Sequence, residues 1–599
     1  MKKRWVLIVL AALLILPSLF AGCADNTKPK VNTQIEDDTG KAKPLTLTLN
    51  AITDKSTTPE AIQAVEDAIN EITEGTYNTH IVLKLYPEDE YYSIIEEKFA
   101  NVVNKIAEEE AEVKRLKEEA RSLKAAGVTT EEPKETDETT AETEETVINE
   151  FGRKVTKFPE PDENQVDIFL VRGIDKLIEY NNKEYLMDLG GSLGSTGKGL
   201  SKYIHPALMS AVSLESGVMA IPNNHMIGEY TYMLINRELV DKYYYDGDSM
   251  TTLAKTEAFL ADVKKYEPDF IPLYGEPFPT PDFITPSMAD SLVGGFVGNN
   301  AAQSAPMPPK NLLGNASYTG ALVQVDKYKK SGFLTSSNYE FNPKAAVQLV
   351  KGGREIFDKY TDDYYVQIYA KPMATNENVY QSMYCVGEFT KNTDRCVQII
   401  AALTWDAEFR NLFQYGLKKV NYEIDEDTGY VNKLSDSYSM NMYDTGNQFI
   451  LWPSSDMSPD MLALAKNNWY YAKQQNLDMV VSPYVGFSLK YITQATIDAR
   501  IAANKTETPL PPYTAMFTQE IIDGVTAASR EFKQKLADFK EYADEATGET
   551  VNYEAYIKKL KAEFDANTYV AEFGNADNAD SPLSQYTDWQ STKYPPAAE

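Results

Sequence analysis

The stretch LTLTLNAI, Leu45–Ile52, decides the fold. Apolar residues alternate with polar ones along it, a pattern typical of a β-strand. Shortly after it, Thr58, Pro59 and Glu60 provide a helix N-cap, a proline at the first helical position and an acid in the first turn. The sequence PEAIQAVEDAINEI, which starts at Pro59, repeats apolar residues at helical spacing. A strand followed by a helix is therefore predicted.

Two more strands follow, HIVLKLY at His80–Tyr86 and VDIFLV at Val166–Val171. The order strand, helix, strand, helix, strand predicts a parallel α/β sheet. Between these strands, Tyr92–Leu123 repeats apolar residues at three- and four-residue steps, which predicts a long amphipathic helix. Thr129–Glu150 carries nine acids against one lysine, which is typical of a disordered, solvated insertion; a partner-binding arm is the alternative.

The N-terminal segment is typical of an export signal. Lys2–Arg4 are basic, Trp5–Leu16 are mostly apolar, and the apolar run is too short to span a bilayer. The sequence LFAGC, Leu19–Cys23, resembles a bacterial lipobox, in which the cysteine is lipidated and becomes the first mature residue. An ordinary signal with an accidental cysteine is the alternative. We therefore predict a lipoprotein signal peptide over residues 1–22 and a flexible tether over residues 23–43.

Composition narrows the partners. The formal net charge of −31 disfavours nucleic acid and an anionic membrane surface, since both would repel the chain. A chain of 599 residues is too long for one core, so two or more lobes are expected. After the signal, no stretch of the sequence is long and apolar enough to span a bilayer. Cys385 and Cys396, the remaining cysteines, form a disulfide or stay as two buried free thiols.

The sequence holds motifs that resemble catalytic or metal sites, and each is incomplete. GGSLG, Gly190–Gly194, has the spacing of a hydrolase elbow, but the GSTGKG that overlaps it cannot begin a helix cleanly. GSTGKG also fails two positions of a phosphate-binding loop, so a flexible surface loop is expected there. DEDTG, Asp425–Gly429, favours a hairpin turn with Gly429 at positive φ, with a calcium site as the alternative. With three histidines and no cysteine–histidine cluster, we expect no enzyme activity, no metal and no cofactor.

Several stretches, in this order along the chain, resemble the extracellular solute-binding lipoproteins of ABC importers, of solute-binding family 1 and the sugar or oligosaccharide type. The resemblance spans about Leu45–Gln590 and is interrupted by the helical and acidic insertion. The stretches are VDIFLVRGID, EYLMDL, GVMAIPNN, YTYMLINRELVDKY, TWDAEFRNLFQYGLKKVNYEIDEDTGYV, YDTGNQFILWP, NNWYYAKQQ, SPYVGFSLK and SQYTDWQ.

This resemblance implies an α/β fold of two lobes, the type II periplasmic-binding-protein-like fold, with hinge crossovers and a mainly helical C-terminal portion. Ligand would sit in the interlobe cleft, and closure would present both lobes to the permease. The implied protein is a monomer, held by a lipid anchor at the extracellular face of a Gram-positive cell membrane. Its partners would be an oligosaccharide and ABC permease subunits. The implied division is residues 44–222 and 384–445 for lobe 1, with an insertion over 104–164, and residues 223–383 and 446–599 for lobe 2.

Other functions stay open at this point. A receptor for a peptide or a sugar acid is the first alternative, since Arg172 at a cleft would suit a carboxylate. An exported glycan-degrading enzyme and a surface adhesin are the others. An enzyme of that kind would need two carboxylates at catalytic separation.

A sugar site needs aromatic platforms and planar polar groups. Trp452, expected to follow a strand NQFIL, is the first stacking candidate, and Trp405, expected at a helix start, is the second. Trp469 and Trp589 are expected to be packing residues. Polar candidates lie at the expected strand ends and crossovers, because ligands of open α/β sheets bind beyond the carboxyl ends of strands. They are Asp54, Arg172, Asn223, Asn224, Glu229, Tyr230, Tyr232, Tyr274 and Asn447. The alternatives are a turn for Asp54 and Asn447, a surface ion pair for Arg172 and a hinge cap for Asn223.

Overall fold

The structure is a computed structural model. It describes residues 43–125, 146–148, 154–214, 216–276, 283–284, 292–296, 310–482, 485–486, 519–575, 577–578 and 581–593. The predicted signal peptide with Cys23, nearly all of the tether and most of the acidic segment lie outside the described residues. Within the described residues, no helix combines the length and the apolar character that crossing a membrane requires.

The chain divides into two compact units, each formed by separate segments. Unit 1 contains the described residues up to Arg172, Glu179–His225 and Ser382–Asn468. Unit 2 contains Gly173–Ile178, Met226–Gln381 and the described residues from Trp469 onward.

The strands, in chain order, are β1 (Leu45–Thr53), β2 (Thr79–Pro87), β3 (Thr146–Ile148), β4 (Lys154–Thr156), β5 (Ile168–Val171), β6 (Ser213–Leu214), β7 (Gly217–Val218), β8 (Ile221–Pro222), β9 (Tyr230–Asn236), β10 (Ile271–Tyr274), β11 (Phe283–Ile284), β12 (Val293–Phe296), β13 (Lys310–Asn311), β14 (Leu334–Thr335), β15 (Ala345–Gly352), β16 (Tyr364–Ala370), β17 (Met373–Ala374), β18 (Met383–Val386), β19 (Tyr422–Ile424), β20 (Val431–Lys433), β21 (Val480–Val481), β22 (Tyr542–Ala543) and β23 (Thr550–Val551).

The α-helices, in chain order, are α1 (Pro59–Tyr77), α2 (Glu88–Ala125), α3 (Ile174–Asn182), α4 (Gly190–Gly194), α5 (Pro206–Ala211), α6 (Arg237–Lys242), α7 (Glu257–Tyr266), α8 (Ala316–Lys330), α9 (Glu355–Tyr360), α10 (Asn376–Val379), α11 (Thr393–Trp405), α12 (Ala407–Tyr415), α13 (Pro459–Lys466), α14 (Tyr470–Asp478), α15 (Gln519–Ala537), α16 (Tyr553–Asp565), α17 (Thr568–Phe573) and α18 (Pro582–Lys593).

Unit 1 is built on a five-stranded sheet of order β2-β1-β5-β18-β8. β1 pairs in parallel with β2 and β5, and β18 runs antiparallel to both of its neighbours. The predicted βαβ start is confirmed: the Thr58 side chain accepts a hydrogen bond from the Ala61 N–H, and Pro59 opens α1. β1 is buried along almost its whole length, because the sheet packs against α1 on one side and against other elements of unit 1. The predicted long helix is also confirmed as α2.

Unit 2 is built on a second five-stranded sheet, of order β14-β10-β15-β9-β16. β14, β10 and β15 are parallel, whereas β9 runs antiparallel to β15 and β16. Each sheet thus has three parallel strands, one antiparallel strand in the fourth place and a fifth strand parallel to the first three. The helices α15 to α18 share a separate apolar core with α8, and Trp589 lies in that core. The prediction of a mainly helical C-terminal portion, with Trp589 as a packing residue, is confirmed for the described residues.

The boundaries of the two units differ from the lobe boundaries predicted from the sequence. Residues 223–225 and 446–468 lie in unit 1, and Gly173–Ile178 lies in unit 2. Hydrogen bonds explain the first two differences. The Asn223 N–H donates to the Ser382 carbonyl over 3.1 Å, and the Asn447 N–H donates to the Leu403 carbonyl over 3.1 Å. These bonds hold both segments on the elements of unit 1.

The structure shows the backbone conformation of the three incomplete motifs, GGSLG, GSTGKG and DEDTG. Gly190–Gly194 is itself a short helix, with Ser192 buried inside it, so it is not the strand–serine–helix turn of a hydrolase. The expectation of a surface loop at GSTGKG holds in part: residues 195–197 form a turn with Ser195 exposed, and a 3-10 helix begins at Lys198. The hairpin prediction at DEDTG is confirmed, because β19 and β20 pair antiparallel and Gly429 has a φ of 73°.

Cys385 and Cys396 are both free and buried, so the disulfide interpretation is wrong. Cys385 lies in β18, and Cys396, in α11, has its Sγ 3.4 Å from the Thr390 hydroxyl. That hydroxyl also donates to the buried carboxylate of Asp167 over 2.7 Å. Burial raises the pKa of both thiols, so both stay protonated at neutral pH.

Candidate functional site

The carboxyl ends of four strands of unit 1 lie at one edge of its sheet. Thr53 of β1 is level with Pro87 of β2, and Val171 of β5 and Pro222 of β8 both pair with Met383. The side chains that follow these strands therefore gather there. We call the set of Asp54, Glu88, Arg172, Asn223 and Asp444 the unit 1 edge.

Arg172 is the most strongly held group of the unit 1 edge. Its Nε donates to Asp444 over 3.2 Å, its Nη2 also donates to Asp444, and its Nη1 donates to Glu88 over 2.8 Å. The Arg172 side chain is 22% exposed, Asp444 only 1% and Glu88 68%. Burial lowers the pKa of Arg172, but the hydrogen bonds and charges of the two carboxylates outweigh burial and raise it. The guanidinium therefore uses three of its five N–H groups in ion pairs, and its pair with Asp444 is partly buried rather than the surface pair considered from the sequence.

Asp54 and Asn223 have mainly structural contacts. The Asp54 carboxylate accepts a hydrogen bond from the Ser56 N–H over 2.9 Å, and this bond lowers the pKa of the exposed carboxyl. The Asn223 amide donates to the Ser382 hydroxyl over 2.8 Å, and the residue is buried. Both observations fit the alternatives raised above, a turn residue and a cap where the chain crosses between units.

A connected group of polar and aromatic residues follows β8. The Asn224 amide donates to the Tyr203 carbonyl over 2.9 Å and to the Asn447 side chain over 3.2 Å. Asn447 in turn donates to the Thr404 carbonyl over 2.8 Å. Both asparagines are buried, so they order this region rather than offer free hydrogen-bonding groups.

Trp405 and Tyr203 form an aromatic pair next to this group. Their ring centroids are 6.3 Å apart, Tyr203 is 42% exposed, and Trp405 is partly buried. A Cβ on Gly199 would lie 3.2 Å from the Trp405 ring, so the indole covers that glycine closely. Trp405 ends α11 rather than beginning a helix, which corrects the expected position. Tyr203 was missed, since its single position after a glycine-rich stretch gives no periodic signal.

Trp452 lies elsewhere in unit 1. Its backbone N–H donates to the Asn411 side-chain oxygen over 2.9 Å, and its backbone carbonyl accepts a hydrogen bond from the Tyr415 hydroxyl over 2.8 Å. The Trp452 ring centroid lies 6.4 Å from the ring centroid of Tyr422. The expected strand before it is a 3-10 helix, Gln448–Ile450. Trp452 is partly buried against the β19–β20 hairpin, and no described contact joins it to the unit 1 edge.

The predicted residues of unit 2 fall into two groups. Tyr230 is buried, and its hydroxyl donates to Asp478 over 2.5 Å; Asp478 also accepts from Arg354 Nη1 over 2.7 Å. Burial and the bond to Asp478 raise the pKa of Tyr230, so it stays neutral. Tyr232 belongs to an apolar core. Both tyrosines are buried, so their side chains pack inside unit 2 and are not accessible to solvent.

Tyr274 and Glu229 remain accessible in unit 2. Tyr274 ends β10, is level with Gln348 of β15 and is partly buried, and Glu229 is exposed. No group of three possible metal-binding side chains of His, Cys, Asp or Glu occurs among the described residues. The described candidate residues offer aromatic surface and hydrogen-bonded polar groups.

Sequence reasoning missed three residues that shape the unit 1 edge. Asp444 and Glu88 were missed because a carboxylate is too common in this acidic chain to be singled out by spacing. Tyr443, whose ring lies 5.8 Å from that of His225, is partly exposed in the same loop as Asp444. A signal was present for Glu88, since it comes two residues after the end of the predicted second strand.

Comparison with known proteins gave matches only among solved structures; no family model and no curated protein matches. The N-glycan transport solute binding protein NgtS from Streptococcus pneumoniae is 15% identical, with 88% of this chain and 99% of that chain covered and a TM-score of 0.41. A human-milk-oligosaccharide-binding, ABC-transporter-associated solute-binding protein from Bifidobacterium longum infantis is 13% identical, with coverages of 92% and 99% and a TM-score of 0.42. An extracellular solute-binding protein of family 1 from Alicyclobacillus acidocaldarius is 10% identical, with coverages of 88% and 99% and a TM-score of 0.39.

These TM-scores are below 0.5, so the class of fold rests on the strand order of the two sheets. The described chain forms two α/β units, each built on a five-stranded mixed sheet, and this confirms the predicted α/β class with two lobes. The matched structures named above are all solute-binding proteins, two of them named for glycan or oligosaccharide cargo.

Proposed function

We propose that this protein is an extracellular solute-binding protein that captures an oligosaccharide and delivers it to the permease of an ABC importer. Its role is binding, without covalent chemistry. The observation that supports this cargo is the aromatic pair of the exposed Tyr203 and the partly buried Trp405; the side chain of the strand-end residue Asn224 donates a hydrogen bond to the Tyr203 carbonyl. Aromatic faces stack on the flat, apolar faces of sugar rings, and strand ends are the usual place for ligands in α/β sheets.

The state of Arg172 argues for a neutral sugar over a sugar acid. Asp444 and Glu88 accept bonds from three of the five N–H groups of Arg172 and offset its charge. A carboxylate ligand at the remaining N–H groups would lie beside two carboxylates, and like-charge repulsion disfavours that arrangement. Neutral hydroxyls can instead bond to the remaining lone pairs of the exposed Glu88 carboxylate.

A ligand screen tests this function. Thermal-shift measurements would compare neutral oligosaccharides, sugar acids and short peptides at equal concentration, followed by calorimetry on those that stabilise the protein. We expect stabilisation by one class of neutral oligosaccharide. Stabilisation by peptides or sugar acids alone would contradict the proposed cargo, and turnover of a glycan would contradict the binding role.

Trp405→Ala is expected to weaken binding of that oligosaccharide by about 5- to 150-fold, because loss of one stacking platform costs about 1–3 kcal/mol. Trp452→Ala tests the first stacking candidate of the sequence in the same way. Tyr244→Ala is the matched control, since that aromatic side chain is 96% exposed in unit 2 and its loss should leave Kd unchanged. Calorimetry on all three variants provides the measurement. If the Trp405→Ala variant folds and its Kd is unchanged, Trp405 does not stack on the oligosaccharide.

We further propose that Cys23 carries a lipid that keeps the protein at the extracellular face of the cell membrane, as a monomer near its permease. The LFAGC sequence supports this proposal, and two acyl chains on one cysteine are enough for stable anchoring. Cys23→Ser is expected to move the protein from the membrane fraction to the medium. Retention of this variant in the membrane fraction would contradict the anchor.

A further inference from the structure

Arg410 is a buried arginine whose guanidinium is incompletely bonded. It lies on α12 in unit 1, is 0% exposed and is among the largest fully buried side chains. Its Nη2 donates to the Met442 carbonyl over 2.8 Å. Its Nε and Nη1 are buried and have no hydrogen-bond partner among the described residues. Buried N–H groups without a partner are rare in folded proteins and call for a bound group.

The charge of Arg410 is also uncompensated. Across the described parts of the chain, no carboxylate forms a salt bridge with Arg410, and the groups that act on it electrostatically are Tyr384 and Tyr415. Burial lowers the pKa of Arg410 to about 10, so it remains a cation at neutral pH. Burial also raises the pKa of both tyrosines, so neither phenol supplies a negative charge.

The neighbouring hydroxyls are committed to other partners. Tyr384 donates to the Asp444 carbonyl over 2.6 Å, and Tyr415 donates to the Trp452 carbonyl over 2.8 Å. Their protons therefore point to backbone oxygens rather than to one another. Both tyrosines that act on the guanidinium are therefore neutral, and neither of them compensates its positive charge.

Two other arginines of unit 1, Arg172 and Arg395, have hydrogen-bond partners of kinds that Arg410 lacks. Arg172 is paired with Asp444 and Glu88. Arg395 is buried without a carboxylate, but its Nη1 donates to the Tyr77 carbonyl over 2.5 Å and to the Thr79 hydroxyl over 2.7 Å. Arg410 has neither a carboxylate nor a set of acceptors of this kind.

We propose that the guanidinium of Arg410 binds a small monovalent inorganic anion, of the size of chloride, inside unit 1. Water could accept the free N–H bonds but would leave the buried charge uncompensated, and an uncompensated buried charge is strongly unfavourable. A halide accepts those bonds and neutralises the charge with one atom. This site is independent of the sugar cargo. Because Arg410 also holds Met442, two residues before Asp444, the anion would stabilise the loop that carries the carboxylate partner of Arg172.

Thermal unfolding in different salts tests the anion site. We would compare sodium chloride and sodium bromide with sodium gluconate at equal ionic strength, since gluconate is too large for a buried one-atom site. The expected result is a midpoint that rises by about 3 °C for each tenfold increase in halide above its Kd. Arg410→Met is expected to abolish this rise.

Arg395→Met is the matched control, because it removes a second buried arginine of unit 1, one whose Nη1 already donates to protein acceptors. It should lose stability but keep the halide-dependent rise. A rise that is absent in the wild-type chain, or equal in wild type and Arg410→Met, would overturn the proposal. If Arg410→Met does not fold, a crystal structure of the wild-type chain grown in bromide provides the test. An anomalous bromide peak next to the Arg410 guanidinium would support the anion site. A water molecule at that position, without bromide, would overturn the proposal.

Discussion

Arg172→Met is expected to lower the free energy of unfolding of unit 1 by about 3 kcal/mol, because it leaves a buried carboxylate without its cation. Asp444 is 1% exposed, and every described side-chain bond to its carboxylate comes from Arg172. Methionine preserves most of the aliphatic stem, so the loss reports the removed charge and hydrogen bonds rather than a cavity. Urea unfolding followed by tryptophan fluorescence provides the measurement, since Trp405 and Trp452 both lie in unit 1.

Glu88→Gln is the matched control for this pair. Glu88 contacts the same guanidinium but is 68% exposed, so we expect its loss to cost less than about 1 kcal/mol. Arg172→Met combined with Asp444→Asn should recover part of the stability, because the double variant no longer buries a charge. A loss below 1 kcal/mol for Arg172→Met would show that Asp444 finds another partner, contrary to the contacts described.

Gly446→Ala is expected to destabilise unit 1 by about 3 kcal/mol, from a strained backbone conformation and from overlap with a neighbouring segment. Gly446 has a φ of 103°, which L residues with a side chain rarely adopt. A Cβ there would overlap the Leu403 carbonyl oxygen and approach the Leu403 Cβ to 2.8 Å. The Leu403 carbonyl is also the acceptor for the Asn447 N–H, so neither segment can move without breaking that bond.

Gly429→Ala is the control that separates the cost of the backbone conformation from the cost of steric overlap. Gly429 has a φ of 73°, but a Cβ there would have nothing within 4 Å. We therefore expect only the conformational cost, about 1 kcal/mol. Urea unfolding of both variants gives the comparison, and equal losses would show that steric overlap at Leu403 contributes nothing.

Local elements were largely predictable from the sequence. The alternation of Leu45–Ile52, the Thr58 cap with Pro59, and the hairpin at Asp425–Gly429 all depend on interactions between residues a few positions apart. Such patterns are visible in the sequence because the same few residues both carry the signal and form the contact. The expected strand before Trp452 was wrong, since a short apolar run does not distinguish a strand from a 3-10 helix.

The roles of the polar site candidates were much less predictable. Asn224, Asn447, Tyr230 and Tyr232 were nominated as ligand-binding residues, yet all four are buried. A residue type and its distance from a strand end give no information about which partner arrives from a distant part of the chain. Trp405 stays a predicted stacking residue, and its companion Tyr203 lies about two hundred positions earlier in the chain and leaves no pattern in the sequence.

The sequence by itself determined the α/β class, the order of the first elements, the helical C-terminal portion and, through LFAGC, the expectation of export with a lipid anchor. The tertiary structure alone decided which charges are paired. It joined Arg172 to Asp444, kept Cys385 and Cys396 as separate thiols, and left Arg410 buried without a counter-charge. The physical reason is range: secondary structure follows from near neighbours, whereas the energy of a charge or a thiol depends on burial and on groups brought together only by the complete fold.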